Sequence, residues 1–542
     1  MPAVVDDLRP SPASTEPLPA PRVLPRSARR VCWGVFCLTL AVYVVTASGH
    51  YVGQDQEYTY RTARALVEQG TFAIQSLEQP NEAGRTGVDG RFYAHYAPGL
   101  SLAMAPLIPV GRGLEGLTEG VRARYTWGAR DEADKAARIL ASYFNAPVTA
   151  ATAALLALLV LRLGYPSAAA IFTALAYAFA TFAWGQARVV FADPLQGLLL
   201  LLGVVLLLGA SPSRAGLGGT ALLLAVLVKL TSVLALPLVL LLPDARGRAL
   251  WRTPTTVALI LGPALVALAL HGLFNLGRYG DALNTGYLAR SVDGQEVADA
   301  GAAGRVLRVG FANIPLVGFY GLLVSPARGV VWYALPIVAA AWAFRRFYRE
   351  RRSAALAFGG MAALWLVVHG FWIGWHGGWG WGPRYLLPVL PLALVPLATC
   401  WLERRARFAA VGLVLVGVLI QLPGALVDFW TAGQRASDMF AANCVRCTDG
   451  RFSVYRSLVP EAADLKIHTE LLRSGILDLG WVTFAGTWLA PVTLGVAALL
   501  AAAGLRLLWD RPMGTAPARR APNRPGRRRP HVRGRPRAVH GA

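Results

Sequence analysis

Residues 26–57 read RSARRVCWGVFCLTLAVYVVTASGHYVGQDQE, and this stretch decides the fold. Arg26, Arg29 and Arg30 lead into an apolar run over 31–50, close to the roughly 20 residues that one membrane-crossing helix needs. The Lys/Arg-rich flank of such a helix stays in the cytoplasm, so the N-terminus is expected inside and Asp55 and Glu57 outside. No cleavage site stands out after the run and further hydrophobic segments follow, so it reads as a retained signal-anchor.

Working outward, the same rules map the rest. Segments 138–162, 167–185 and 193–210 alternate across the bilayer, with Arg162 and Arg214 at inner turns. Within 214–243, Lys229 would sit at mid-membrane in a straight helix at a cost of about 2.5–3.5 kcal/mol. Two short helices meeting at a wetter outer turn avoid that cost. Runs at 254–274, 329–344, 354–375, 385–402, 408–426 and 482–508 follow, with Arg345, Arg346, Arg349, Arg351, Arg352 and Arg404, Arg405, Arg407 marking inner turns. The sum is an all-α integral membrane protein of about twelve transmembrane helices, with an extracytoplasmic first loop carrying juxtamembrane helices. In that loop, 98–110 is too short to span and carries Pro98, Pro106 and Pro109, which fits a segment lying on the outer face.

Composition agrees. Of 542 residues, 55% are hydrophobic and 15% charged, and the mean hydropathy is +0.45, which makes the bilayer the expected solvent. The net charge of +23 does not indicate a nucleic-acid partner, because its basic residues gather in turns between apolar runs and at the two ends. The expected organisation is a disordered cytoplasmic tail (1–30), a transmembrane unit (31–426, its first external loop 51–137), an external loop (427–481), a last helix (482–508) and a disordered basic cytoplasmic tail (509–542), in the plasma (inner) membrane. Of the cysteines, only Cys444 and Cys447, in the external loop, are placed for a disulfide.

Polar residues with chemical potential concentrate outside. Asp55 and Glu57, at the membrane edge, suit a general base or ligands for a hard divalent cation, and His95 could join them. The plain alternative is an acidic helix start that complements the macrodipole. Asp193-Pro194 reads either as a second functional acid or as a helix start with Pro at its first position. Trp372, Trp375, Trp379 and Trp381 fit a stacking surface, and equally an interfacial aromatic belt.

Taken in order, these motifs resemble the C-type (GT-C) membrane glycosyltransferase superfamily, whose protein O-mannosyltransferases and aminoarabinose transferases are the best-known relatives. The resemblance rests on the acids after the first helix, on Tyr93, His95, Tyr96, Pro98, Gly99 and Leu100, on Phe191-Ala192-Asp193-Pro194, on Leu227 to Thr231, on Asn275, Arg278, Tyr279, Gly280, Thr285, Gly286 and Tyr287, and on Trp381 to Pro388. It covers roughly residues 31–400. Where the family has adjacent Asp-Glu, this chain has Asp55, Gln56 and Glu57, which leaves both acids as candidates.

The resemblance implies transfer of a sugar from a polyprenyl phosphate to an extracytoplasmic acceptor, with inversion. A phosphate leaving group needs cations, and the acceptor needs a base. Asp55, Glu57 and Asp193 are thus the catalytic candidates. Lys229 and Arg384, with Arg278 and Arg188 in reserve, are candidates for the lipid phosphate. Tyr93, His95, Tyr96 and Tyr385 would line the sugar or acceptor. The partners implied are the lipid bilayer, a polyprenyl-phosphate sugar and a cell-envelope glycan, lipid or protein. The rival is a lipid-linked glycan flippase or other transporter. It would spread charge through the bundle, and the two halves show no matched interrupted helices.

Overall fold

The computed structural model describes residues 26–76, 83–118, 121, 134–286, 310–311, 313–441 and 457–509. Tyr287, Cys444, Cys447 and both expected tails beyond those limits lie outside the described residues.

The chain is a multi-pass helical membrane protein. The first helix, α1 (Arg26–Thr46), starts five residues earlier than the apolar run, so its arginines ride on its first turns. The first loop then holds α2 (Gln54–Gln69), strands β1 (Ala73–Ile74), β2 (Gly84–Thr86) and β3 (Phe92–Ala94), and helices α3 (Pro98–Met104), α4 (Leu107–Gly113) and α5 (Lys135–Ser142). The strands form an antiparallel sheet in the order β1-β3-β2, pairing Tyr93 with Ala73 on one side and Arg85 on the other. This short sheet stands beside the juxtamembrane helices expected in the loop. It forms where Phe92 and Tyr93 supply strand-favouring aromatics behind the Gly90 turn.

The body continues with α6 (Asn145–Arg162), α7 (Ser167–Phe179), α8 (Ala183–Ala187), α9 (Ala192–Leu207) and α10 (Pro212–Val228). As the sequence leads one to expect, the chain breaks at Lys229, which is extended, and resumes as the turn Leu230–Ala235 and α11 (Leu236–Val239). Then come α12 (Pro254–Tyr279), α13 (Pro315–Leu323), α14 (Val330–Tyr333), α15 (Pro336–Glu350), α16 (Arg352–Phe371), α17 (Leu390–Leu394), α18 (Leu397–Cys400), α19 (Arg404–Leu426), α20 (Phe429–Ala441), α21 (Asp464–Arg473), α22 (Gly480–Thr483) and α23 (Leu489–Trp509).

Among the described residues six helices are long and apolar enough to cross a bilayer: α1, α5 with α6, α12, α16, α19 and α23. The shorter apolar helices α7, α9, α10, the Leu230–Val239 stretch and α17 with α18 fall on other expected spans. Small residues allow close packing inside. Ala146, Ala150, Ala153 and Ala157 recur on one face of α6 and are fully buried, the pattern of membrane interfaces that lack a hydrophobic drive between helices. Large apolar residues face outward instead, with Leu265, Leu419 and Leu499 all well exposed, as expected when the surrounding solvent is lipid.

α1 packs against α23, where Gly34 and Gly504 let the backbones approach: a Cβ on Gly504 would stand 2.8 Å from the backbone nitrogen of Leu38. At the opposite end of the same pair Gly49 meets Phe484. The two helices are therefore antiparallel, and the outer ends of the described chain share one end of the bundle. The candidate residues gather at the other end.

Candidate active site

Asp55 and Glu57 open α2, one residue apart, and the helix turns them in different directions. Glu57 is buried, bonded twice by the Arg138 guanidinium of α5 (2.5 and 3.1 Å) and once by Arg61 Nε at 2.7 Å. It clamps α2 to α5 and has no free face for chemistry, which corrects the reading of Glu57 as a catalytic acid. Asp55, 35% exposed, turns to Arg384, whose Nη2 and Nη1 lie 3.4 and 3.5 Å from its Oδ2. Those lengths are loose for a charge-assisted pair.

Arg384 begins the short turn Arg384–Leu386 after a glycine-rich loop. Gly377 and Gly382 take the left-handed conformation, and a Cβ on Gly377 would stand 3.0 Å from Arg384 Cγ, so the loop can wrap this side chain only with glycine there. The guanidinium lies 4.0 Å over the Phe191 ring and 5.3 Å from that of Tyr385. Its pKa is raised: burial opposes the charge, but Tyr385, Asp55 and Asp193 outweigh it. Its Nε–H is buried and has no acceptor among the described residues.

Asp193 is the second residue of α9, after Phe191 at the N-cap, and makes no cap hydrogen bond. It accepts instead from Lys229 Nζ at 2.6 Å, so it is more than a helix start. Lys229 occupies the break after α10 and rests 4.2 Å over the Tyr385 ring. One turn below, Gln196 donates to the hydroxyls of Thr231 and Ser232, each at 3.0 Å, fixing the break against α9. Gly99 fixes it from the loop: a Cβ there would lie 2.6 Å from the carbonyl of Leu227 and the nitrogen of Val228, so α3 docks directly on the end of α10. The site is thus two acid–cation pairs, Asp55–Arg384 and Asp193–Lys229, with the Tyr385 ring beside both cations.

Tyr96 lies within electrostatic range of Arg384, and its ring meets His95 at 4.6 Å, which keeps both at the edge of this cluster. Three other expected site residues are structural. Tyr93, centred in the sheet, donates to Asp89 at 2.6 Å, and burial together with that bond pushes its phenol up to about 12. Arg278 donates to Ala94 O and Asn275 Oδ1 and stacks 3.8 Å over Phe274, tying α12 to the sheet. Arg188 is buried, donating to Thr46 O, Gly424 O, Val427 O and Asp478, and it holds chain segments together rather than facing a ligand.

Of the four tryptophans, Trp375 and Trp381 are core: both are buried, and Trp381 Nε1 donates to Gln421 at 2.7 Å, while Trp372 and Trp379 stay partly exposed. Among the described residues no three His, Cys, Asp or Glu side chains converge as metal ligands, and Asp55, Glu57 and His95 each face different partners. Sequence reasoning missed His369 near the end of α16, whose ring lies 5.3 Å from Tyr385. The available signal was a lone imidazole in the apolar run 354–375.

No protein-family model and no curated protein matches the chain. Among solved structures, it is similar to ArnT from Cupriavidus metallidurans bound to undecaprenyl phosphate, at 18% identity and a TM-score of 0.46 over 88% of this chain and 77% of that one. It is also similar to the archaeal oligosaccharyltransferase AglB from Archaeoglobus fulgidus, in complex with an inhibitory peptide and a dolichol-phosphate, at 12% identity and a TM-score of 0.36 over 82% of this chain and 56% of that one.

Proposed function

We propose that the chain is a membrane glycosyltransferase that takes a sugar from a polyprenyl-phosphate donor and passes it, with inversion, to an acceptor on the extracytoplasmic side of the plasma membrane, both outer ends of the chain being cytoplasmic. The observation that carries this is the joint placement of Lys229 and Arg384 beside Tyr385, with a buried Arg384 donor left unsatisfied. Buried donors of this kind take partners, and a phosphate matches a guanidinium and an ammonium in charge and in acceptor count.

In the transfer step the acceptor oxygen or nitrogen forms a bond to the anomeric carbon from the face opposite the phosphate. The bond between that carbon and the phosphate oxygen breaks, and its electron pair leaves on the phosphate, where the two cations stabilise it. Asp55 receives the acceptor proton. In the structure Asp55 lies against Arg384, so donor phosphate drawing on Arg384 would release Asp55 for this task. Asp193 holds Lys229 at its post. Were a divalent cation to bind, Asp55 would hold it and the ion would supply further positive charge for the departing phosphate; the acceptor is a cell-envelope glycan, lipid or protein.

The test incubates purified protein with a panel of polyprenyl-phosphate sugars and an envelope extract. Release of free polyprenyl phosphate by the wild type, and its loss in Asp55→Asn, is the expected result. Movement of the intact lipid across liposomes with no bond cleaved would overturn it in favour of a flippase.

A further inference from the structure

His369 is buried in the last turn of α16, a helix apolar enough to cross the membrane. An ionisable ring buried within such a helix is costly and marks function more often than packing. Its Nδ1 lies 2.9 Å from the carbonyl oxygen of Trp365. A carbonyl cannot donate, so Nδ1 carries the hydrogen, and in the neutral ring Nε2 presents a lone pair. No hydrogen-bond partner takes Nε2 among the described residues. The ring lies against Tyr385, centroids 5.3 Å apart and tilted 35°, and Lys229 rests on the same tyrosine. Lys229 and Asp193 are both within electrostatic range of the imidazole.

Resting on the transferase reading above, we infer that His369 recognises the donor's sugar, its Nε2 accepting a hydrogen bond from a sugar hydroxyl next to the phosphate site. The chemistry selects this occupant. Phosphate oxygens are acceptors and find nothing to bond at a lone pair, and the prenyl chain has no donor. Of the groups joined to that phosphate, only the sugar carries O–H donors. The carboxylates nearby are each drawn to a cation through one oxygen, Asp193 to Lys229 and Asp55 to Arg384, and the imidazole adds a neutral acceptor beside them. The ligand class is therefore a polyprenyl-phosphate sugar bearing a free hydroxyl within reach of the phosphate.

The test measures the binding of full-chain protein in nanodiscs to two probes, undecaprenyl phosphate alone and undecaprenyl phosphate carrying the hexose or pentose that the wild type binds most tightly. His369→Leu should bind the bare lipid within about twofold of wild type and lose about tenfold for the sugar-bearing lipid, the effect of one hydrogen bond. His369→Gln, which keeps an acceptor, should recover most of the loss. A donor lacking the recognised hydroxyl should bind wild type and His369→Leu alike. Equal weakening for both lipids would make His369 a structural prop of Tyr385 and overturn the inference, as would no change for either. Wild-type protein that binds neither lipid would remove the transferase reading itself, and this inference with it.

Discussion

Two acids one residue apart on α2 have been sorted by their partners. Asp55 is half open beside Arg384, and Glu57 is closed between Arg61 and Arg138. Removing one member of a buried pair leaves the other charge unsolvated, at a cost of about 3–5 kcal/mol. Glu57→Ala is therefore expected to lower the thermal unfolding midpoint sharply, while the protein that stays folded keeps its turnover. Asp55→Asn should do the reverse, leaving the midpoint nearly unchanged and cutting turnover by about 10²–10⁴, the range for a lost general base. Differential scanning fluorimetry beside a transfer assay separates the two. The sequence could name both acids but could not separate them, because Arg138 is eighty-one positions away and only the docking of α5 on α2 turns Glu57 inward. For the same reason Tyr93, Arg278 and Arg188 read as ligand contacts: their aromatic or cationic nature is visible in the letters, while their carbonyl and carboxylate partners on distant segments are not.

At the scale of elements, the site is held by junctions between helix ends. The break after α10 was legible, since a lysine inside an apolar run has few physical options in a bilayer. What α3 does was not. Gly99 touches backbone that lies over a hundred residues on, and nothing local announces so close an approach. A side chain there must push α3 off the end of α10 and carry Lys229 with it. Gly99→Val is expected to raise the KM for donor more than it changes the unfolding midpoint, with Gly99→Ala intermediate. Overpacking of this kind costs about 1–3 kcal/mol where the backbone can shift. Equal donor KM values for wild type and Gly99→Val would show that Lys229 does not depend on this junction. The small sheet escaped notice for a related reason: its strands are two or three residues long, too short for alternation to register.

Across the whole molecule, the segment that leads from α1 into the site is tied to the far part of the chain. His50 Nε2 lies 2.7 Å from Asp478, its Nδ1 donates to Tyr51 O, and Arg188 bonds the same Asp478 and the end of α19. Burial works against the His50 cation, but Asp478 and, more weakly, Asp428 outweigh it, so its pKa is raised in the folded protein. A group with a raised folded pKa gives stability that is complete below the unfolded value, about 6.5 for histidine, and is lost as pH climbs through the folded value. The unfolding midpoint of the wild type should therefore fall as pH rises above that range, and His50→Gln should flatten the slope. A wild-type midpoint that rises over the same interval would contradict the assignment. The apolar runs made this architecture readable as a membrane bundle, but which run touches which depended on glycines at crossings such as Gly34 with Gly504. That crossing has a consequence for biogenesis. During translation α1 enters the bilayer well before α23, so its Gly34 contact stays uncovered until the ribosome has passed everything between them. A nascent chain halted before Leu489 would present that contact to lipid or to membrane quality control until α23 arrives to cover it.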